Sequence, residues 1–147
     1  HLSIRRQRQM CIRDSFRSAF KARRGLMVLD GYYEWKQTEN GKQPYFVRPK
    51  DGMLYAAALW ETGLDRLSTT MVTTEATENM AWLHHRLPLF LREDEIRTWV
   101  DGTPDEALGL VHPSRVAETL VWNEAAQEVG NTRNDYAELM GVDATER

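Results

Sequence analysis

Three short stretches of the chain concentrate the side chains that could do chemistry. In Gly31-Tyr32-Tyr33-Glu34-Trp35 a carboxylate stands among aromatic rings, which would desolvate it and make it a stronger base. On an ordinary exposed strand the same glutamate would do no chemistry, and the pattern leaves both readings open. The second stretch is Leu83-His84-His85-Arg86-Leu87-Pro88. Adjacent histidines face opposite sides of a strand and diverge by about 100° on a helix, so they are badly placed to chelate one metal. No His-Glu-x-x-His spacing surrounds them, and His1 and His112 are distant, so neither a metal site nor a cofactor is expected. Pro88 favours extended backbone ahead of it, which would set His84 and Arg86 on the same side. That pairs a proton-transfer imidazole with a phosphate-binding guanidinium, the alternative being a solvated loop histidine. The third group is the aromatics Tyr32, Tyr33, Trp35, Trp60 and Trp82. They could stack on unpaired bases at ~1–3 kcal/mol per base, or serve as core.

The elements that must hold these residues are legible in part. With 147 residues and 41% hydrophobic content, one core and one domain are expected. The net charge of −3 argues against gripping long nucleic acid by phosphate neutralisation alone, so any such contact should be local. No window approaches a membrane span or a secretory signal, which makes a soluble, cytoplasmic protein the expectation. The single cysteine, Cys11, excludes an internal disulfide framework. Ser15 can cap a short helix with Phe16, Ala19 and Phe20 on one face. Leu26 to Leu29 reads as a buried strand leading into Tyr32 to Trp35, with a hairpin turn at Asn40-Gly41. Pro44 to Arg48, Met53 to Trp60 and Leu67 to Thr74 would complete a four-strand antiparallel meander. Helices are expected over Arg92 to Val100 and from the capping box Thr103-Pro104-Asp105-Glu106, with Val116 to Trp122 returning to the sheet. The fold class is therefore α+β, mainly antiparallel sheet with short flanking helices.

Taken in order, seven segments resemble the SOS-response-associated peptidase (SRAP) family. They are Phe16-Arg17-Ser18-Ala19-Phe20 with Arg23-Arg24, Asp30-Gly31-Tyr32-Tyr33-Glu34-Trp35-Lys36, Gln43-Pro44-Tyr45-Phe46, Ala58-Leu59-Trp60-Glu61, Val72-Thr73-Thr74-Glu75-Ala76, Leu83-His84-His85-Arg86-Leu87-Pro88, and Val129-Gly130-Asn131 with Asn134. The resemblance implies a DNA-repair protein that binds single-stranded DNA and crosslinks itself to abasic sites. In the family a cysteine freed by removal of the initiator methionine offers an amine and a thiol, which close a thiazolidine on the ring-opened sugar. By resemblance Glu34 assists the amine and His84 acts as general acid on the sugar oxygen. Thr73 resembles a DNA-contacting position, Arg86 would bind phosphate, and Trp35 would stack. Strand alternation puts Glu34 and Trp35 on opposite faces, so presenting both to one cleft would take a bulge or a strand end.

The family's Met-Cys-Gly-Arg start and its Asn-Ala-Arg-x-Glu motif do not occur here. Cys11 is internal and has no free α-amine. The expectation is an N-terminally truncated copy: residues 1–14 a basic segment, non-native or disordered, 15–140 the SRAP domain, and 141–147 a tail. Gln9-Met10-Cys11-Ile12-Arg13-Asp14 resembles translated adapter sequence joined to a truncated gene, and a chain so shortened would be inactive as a crosslinker. The expected partner is single-stranded DNA with abasic sites, met by a nucleoid-associated monomer. Rival readings are a non-covalent single-stranded nucleic-acid-binding module and a Glu/His hydrolase.

Overall fold

The computed structural model describes residues 16–141. The Ser15 cap, Cys11 and the rest of the basic N-terminal segment lie outside them, as do residues 142–147. The described residues open on a helix over 16–22 (α1), with Ala19 turned into the core and Phe16 left half exposed beside Phe20. Three strands follow: β1 (Arg24–Leu29), β2 (Tyr32–Thr38) and β3 (Gly41–Arg48). The turn between β2 and β3 is Glu39-Asn40, one residue earlier than Asn40-Gly41, because Thr38 pairs with Gly41. Gly41 closes it at φ 123°, a value that favours glycine. Next come β4 (Leu54–Gly63), β5 (Arg66–Met71) and β6 (Thr73–Glu75). A loop then leads to β7 (Arg86–Pro88) and β8 (Phe90–Leu91). Three short helices, α2 (Ile96–Asp101), α3 (Pro104–Leu108) and α4 (Arg115–Glu118), precede β9 (Val121–Glu124). The capping box at α3 forms as its sequence predicts: the Glu106 amide donates to Thr103 Oγ1, and the Thr103 amide donates to Glu106 Oε1, both at 3.2 Å.

The expected four-strand meander does not form. β4 is the centre of one sheet, pairing antiparallel with β1, β5 and β8, while β2, β3 and β9 make a second sheet and β6 and β7 a third ladder. The reason lies in β4's own residues. Leu54 and Ala56 point into a core with Val47, Met80, Leu87 and Phe90, whereas Ala57 and Leu59 point into a second core with Leu89, Leu91 and Trp99. Both faces are thus buried along Ala56-Ala57-Ala58-Leu59, and small side chains let layers close on either side. The run Leu67 to Thr74 is two strands, broken at Val72, whose amide donates to Ala57 O. Residues 115–118 form α4, so the chain rejoins a sheet only at Val121.

Arg24 joins the helical and sheet layers. Its buried guanidinium donates to Phe20 O (2.6 Å) and Lys21 O (3.1 Å) at the end of α1, and to Trp99 O (2.6 Å) and Gly102 O at the end of α2. Two helix C-termini are capped by one side chain. Trp99, fully buried, returns the contact by donating Nε1–H to Gly25 O at 2.8 Å. Arg24→Met leaves these carbonyls without donors and is expected to cost about 3 kcal/mol, a loss of roughly 10 °C in Tm by circular dichroism. Arg24→Lys recovers only a fraction, because a compact ammonium cannot span both helix ends. A lysine variant melting with the wild type would contradict the shared cap.

Candidate nucleic-acid interface

Among the described residues β2 is an edge strand, pairing with β3 alone. An open groove of about 830 Å³ runs between β2 and the loop joining β6 to β7. Glu34, Trp35, Lys36 and Gln37 form one wall; Trp82, Leu83, His84 and His85 stand on the other. The groove therefore brings Glu34, Trp35 and His84 together. No bulge is needed for this, since the β2–β3 register is regular from Tyr32 to Thr38. A groove along a strand edge receives side chains from both faces of that strand, which is why consecutive residues line it.

The opposite wall is built by turns. Met80 and Ala81 amides donate to Thr77 O, and Leu83 and His84 amides to Met80 O, while the Ala76 amide donates to His85 O and closes the loop at its base. Buried Met80 and Leu83 pin it to the first core. Trp82 packs edge-on against Tyr45 (5.0 Å between ring centroids) and lies 5.4 Å from Trp122. Lys36 reaches across from β2: Nζ donates to Trp82 O at 2.9 Å and sits 4.8 Å from the indole centroid. Nothing in the sequence singles Lys36 out beyond its position two residues after Glu34, on the same strand face.

His84 precedes β7, so the extended backbone expected before Pro88 starts only at Arg86. The imidazole folds back instead: Nδ1 lies 3.0 Å from the Arg86 amide and 3.1 Å from Arg86 O. Holding Nδ1 against the backbone leaves Nε2 as the nitrogen able to exchange a proton with a ligand. The two histidine rings do not diverge as a strand or helix would make them; they stack at 4.5 Å and both line the groove. Arg86 and Thr73 meet one another rather than the groove lining. The guanidinium donates to Thr73 O (2.7 Å) and Oγ1 (3.1 Å), so Thr73 orients Arg86. Trp60 lies elsewhere, beside Phe16. Among the described residues no three His, Cys, Asp or Glu side chains gather as metal ligands, and no helix is long and apolar enough to cross a membrane.

Beneath Glu34, whose carboxylate accepts the Trp35 amide at 3.0 Å, Tyr32 packs against Phe90. Its buried hydroxyl finds no partner among the described residues. Burial, reinforced by the charge of Glu34, pushes the phenol well above its usual value of 10.

A strand-edge groove presenting a carboxylate, an imidazole and aromatic faces is the kind of site that can hold an unpaired polar chain. The model of the SOS response associated peptidase (SRAP) family matches residues 3–132, and the chain belongs to that family. It is 30% identical to the abasic site processing protein HMCES of Xenopus tropicalis, over 85% of this chain and 45% of that one. It is 29% identical to the abasic site processing protein YedK of Escherichia coli K12, over 85% of this chain and 60% of that one. The chain thus spans about half the length of these relatives. A crystal structure of a Bacteroides thetaiotaomicron protein shares the fold, with TM-score 0.73 and 22% identity over 82% of this chain and 57% of the other.

The folded protein holds the Tyr32 proton more tightly than the unfolded chain does. Its contribution to stability is complete below pH 10 and is lost as pH rises through and above that value. Tyr32→Phe deletes a buried, unpaired hydroxyl, so it should match or exceed wild-type stability at pH 7 and exceed it above pH 10. Urea midpoints at both pH values check this, and a wild type more resistant than the variant in alkali would contradict it.

Proposed function

We propose that the groove along β2 is the DNA-facing part of an abasic-site processing site, in which Glu34 and His84 move protons while aromatic and cationic side chains hold single-stranded DNA. The observation that carries this reading is that Glu34 and His84, distant in sequence, line one groove together with Trp35. Processing would proceed through a cysteine whose α-amine and thiol are both free, as in the family once the initiator methionine is autoproteolytically removed. The amine adds to the aldehyde carbon of the ring-opened sugar and water is lost, giving an imine. The thiol then adds to that carbon, closing a thiazolidine. Net, an aldehyde and an aminothiol become a thiazolidine and water. Glu34 accepts the ammonium proton so that the amine can attack, and His84 Nε2 delivers a proton to the sugar oxygen as the ring opens. Arg86, oriented by Thr73, would take a backbone phosphate, and Trp35, 36% exposed, would stack on a neighbouring base.

The test places a family-type Met-Cys-Gly-Arg segment ahead of this chain and incubates the protein with single-stranded DNA bearing one abasic site. Covalent product is followed on denaturing gels. Glu34→Ala and His84→Ala should each slow crosslinking by about 10²-fold or more. Trp35→Ala should weaken strand affinity by about 5- to 100-fold, the worth of one stacked base. Reversible binding without covalent product, unaffected by Glu34→Ala and His84→Ala, would leave a non-covalent binding module instead.

A further inference from the structure

The groove does not end at Glu34. It continues along β2 through Lys36 to Gln37, about 10 Å at the rise of a strand, and takes in Lys42, which pairs with Gln37 across the hairpin. We infer that this far end is a phosphate subsite, where Lys36 and Lys42, set on opposite faces of the β2–β3 hairpin, reach from either side to a backbone phosphate of the single strand within two nucleotides of the abasic sugar. The inference rests on the function proposed above and adds where the flanking strand runs.

Three observations support it. First, Lys36 is not a loose surface lysine: its ammonium is fixed by Trp82 O at 2.9 Å and by the indole face at 4.8 Å. One of its three donors is used there, which leaves two for an anion. Second, the lining carries two lysines against the single carboxylate of Glu34, in a chain whose net charge is −3. Positive charge is thus local to the groove end, and a low-lying cationic cleft concentrates an anion there. Third, Glu34 occupies the other end, so a polyanion is repelled from the place where the uncharged aldehyde would sit and attracted beyond it. Arg86 is not part of this lining, and its phosphate would be a different one.

The experiment uses the chain as it is and a fluorescein-labelled single strand carrying one tetrahydrofuran abasic analogue, which has no aldehyde and reports binding alone. Anisotropy gives Kd over a range of salt. Lys36→Met and Lys42→Met should each weaken binding about 5-fold near 0.1 M salt and lower the slope of log K on log salt by about 0.7, while Lys36→Arg restores both. Substituting methylphosphonates singly around the analogue should find one position where wild type falls to the level of Lys42→Met and the variant falls no further. Lys42 is exposed at the hairpin, so its variant keeps the fold even if Lys36→Met does not. Unchanged affinity and slope in Lys42→Met and Lys36→Met, with Trp35→Ala and Arg86→Ala both weakening binding, would overturn the subsite and leave the proposed function standing. No binding of the strand by the wild type would overturn both.

Discussion

The burial of β4 on both faces constrains everything else in this domain. A strand with one wet face needs one covering layer; a strand reading Ala56-Ala57-Ala58-Leu59 with both faces buried needs two. One is supplied by β3 and the β6–β7 loop, through Val47, Met80 and Leu83, and the other by α1, α2 and α3, through Ala19, Trp99 and Ala107. Alanine is a poor strand former by propensity, but its small volume lets both layers approach. Arg24 then ties the second layer to the sheet, because the carbonyls at the ends of α1 and α2 converge where only a forked donor can serve them all.

The same constraint makes the groove. β1 pairs with β4 rather than with β2, and β2 passes into a separate sheet with β3 and β9. The close approach at the switch point is allowed by Gly31, where a Cβ would come within 2.6 Å of the Phe46 ring and of Val47 O. Among the described residues β2 keeps an unpaired edge. Such an edge is usually a hazard for aggregation; here the loop of residues 76–85 packs Trp82 on the same sheet, against Tyr45 and Trp122, and Lys36 ties β2 to Trp82 O. An edge strand so partnered can offer consecutive side chains to one cleft, which a central strand cannot.

How much of this was legible in the sequence follows from the range of the forces involved. Local signals read correctly at the α3 capping box and the one-sided apolar face of α1, and the β2–β3 turn fell one residue earlier than Asn40-Gly41, since each depends on residues a few positions apart. The pairing of β4 with β5 was expected but its turn went unmarked, because Leu64-Asp65, held at φ 50° and 58°, stands where asparagine and glycine are the usual signal. The meander failed because neighbouring strands in sequence pair only about two times in three, and the preference of β1 for β4 is a packing effect with no local trace. Glu34, His84 and Trp35 were legible as candidates from residue type, but their meeting in one groove was not. Regular alternation argued against it, and the edge position of β2 could be known only from the sheet order. Thr73 and Arg86 read as separate contacts, whereas the hydrogen bonds make one a holder of the other.

If the proposed function holds, a chain with 19 Lys and Arg against 22 Asp and Glu must gather its cations where the strand runs. Long-range attraction is weak at a net charge of −3, so affinity has to come from contacts that work at short range and survive screening. Stacking on indole faces is one such contact, and an ammonium already fixed in place is another, because little side-chain entropy remains to be lost when the phosphate arrives. The arrangement of Lys36 over Trp82 combines the two in one structural unit: the ring that shapes the groove wall also holds the charge. Removing the ring would therefore loosen the cation, the wall and the seat of His84 together. Tyr32 and Trp82 pack against the first core while Trp35 and Trp82 line the groove, so core and groove share one set of rings.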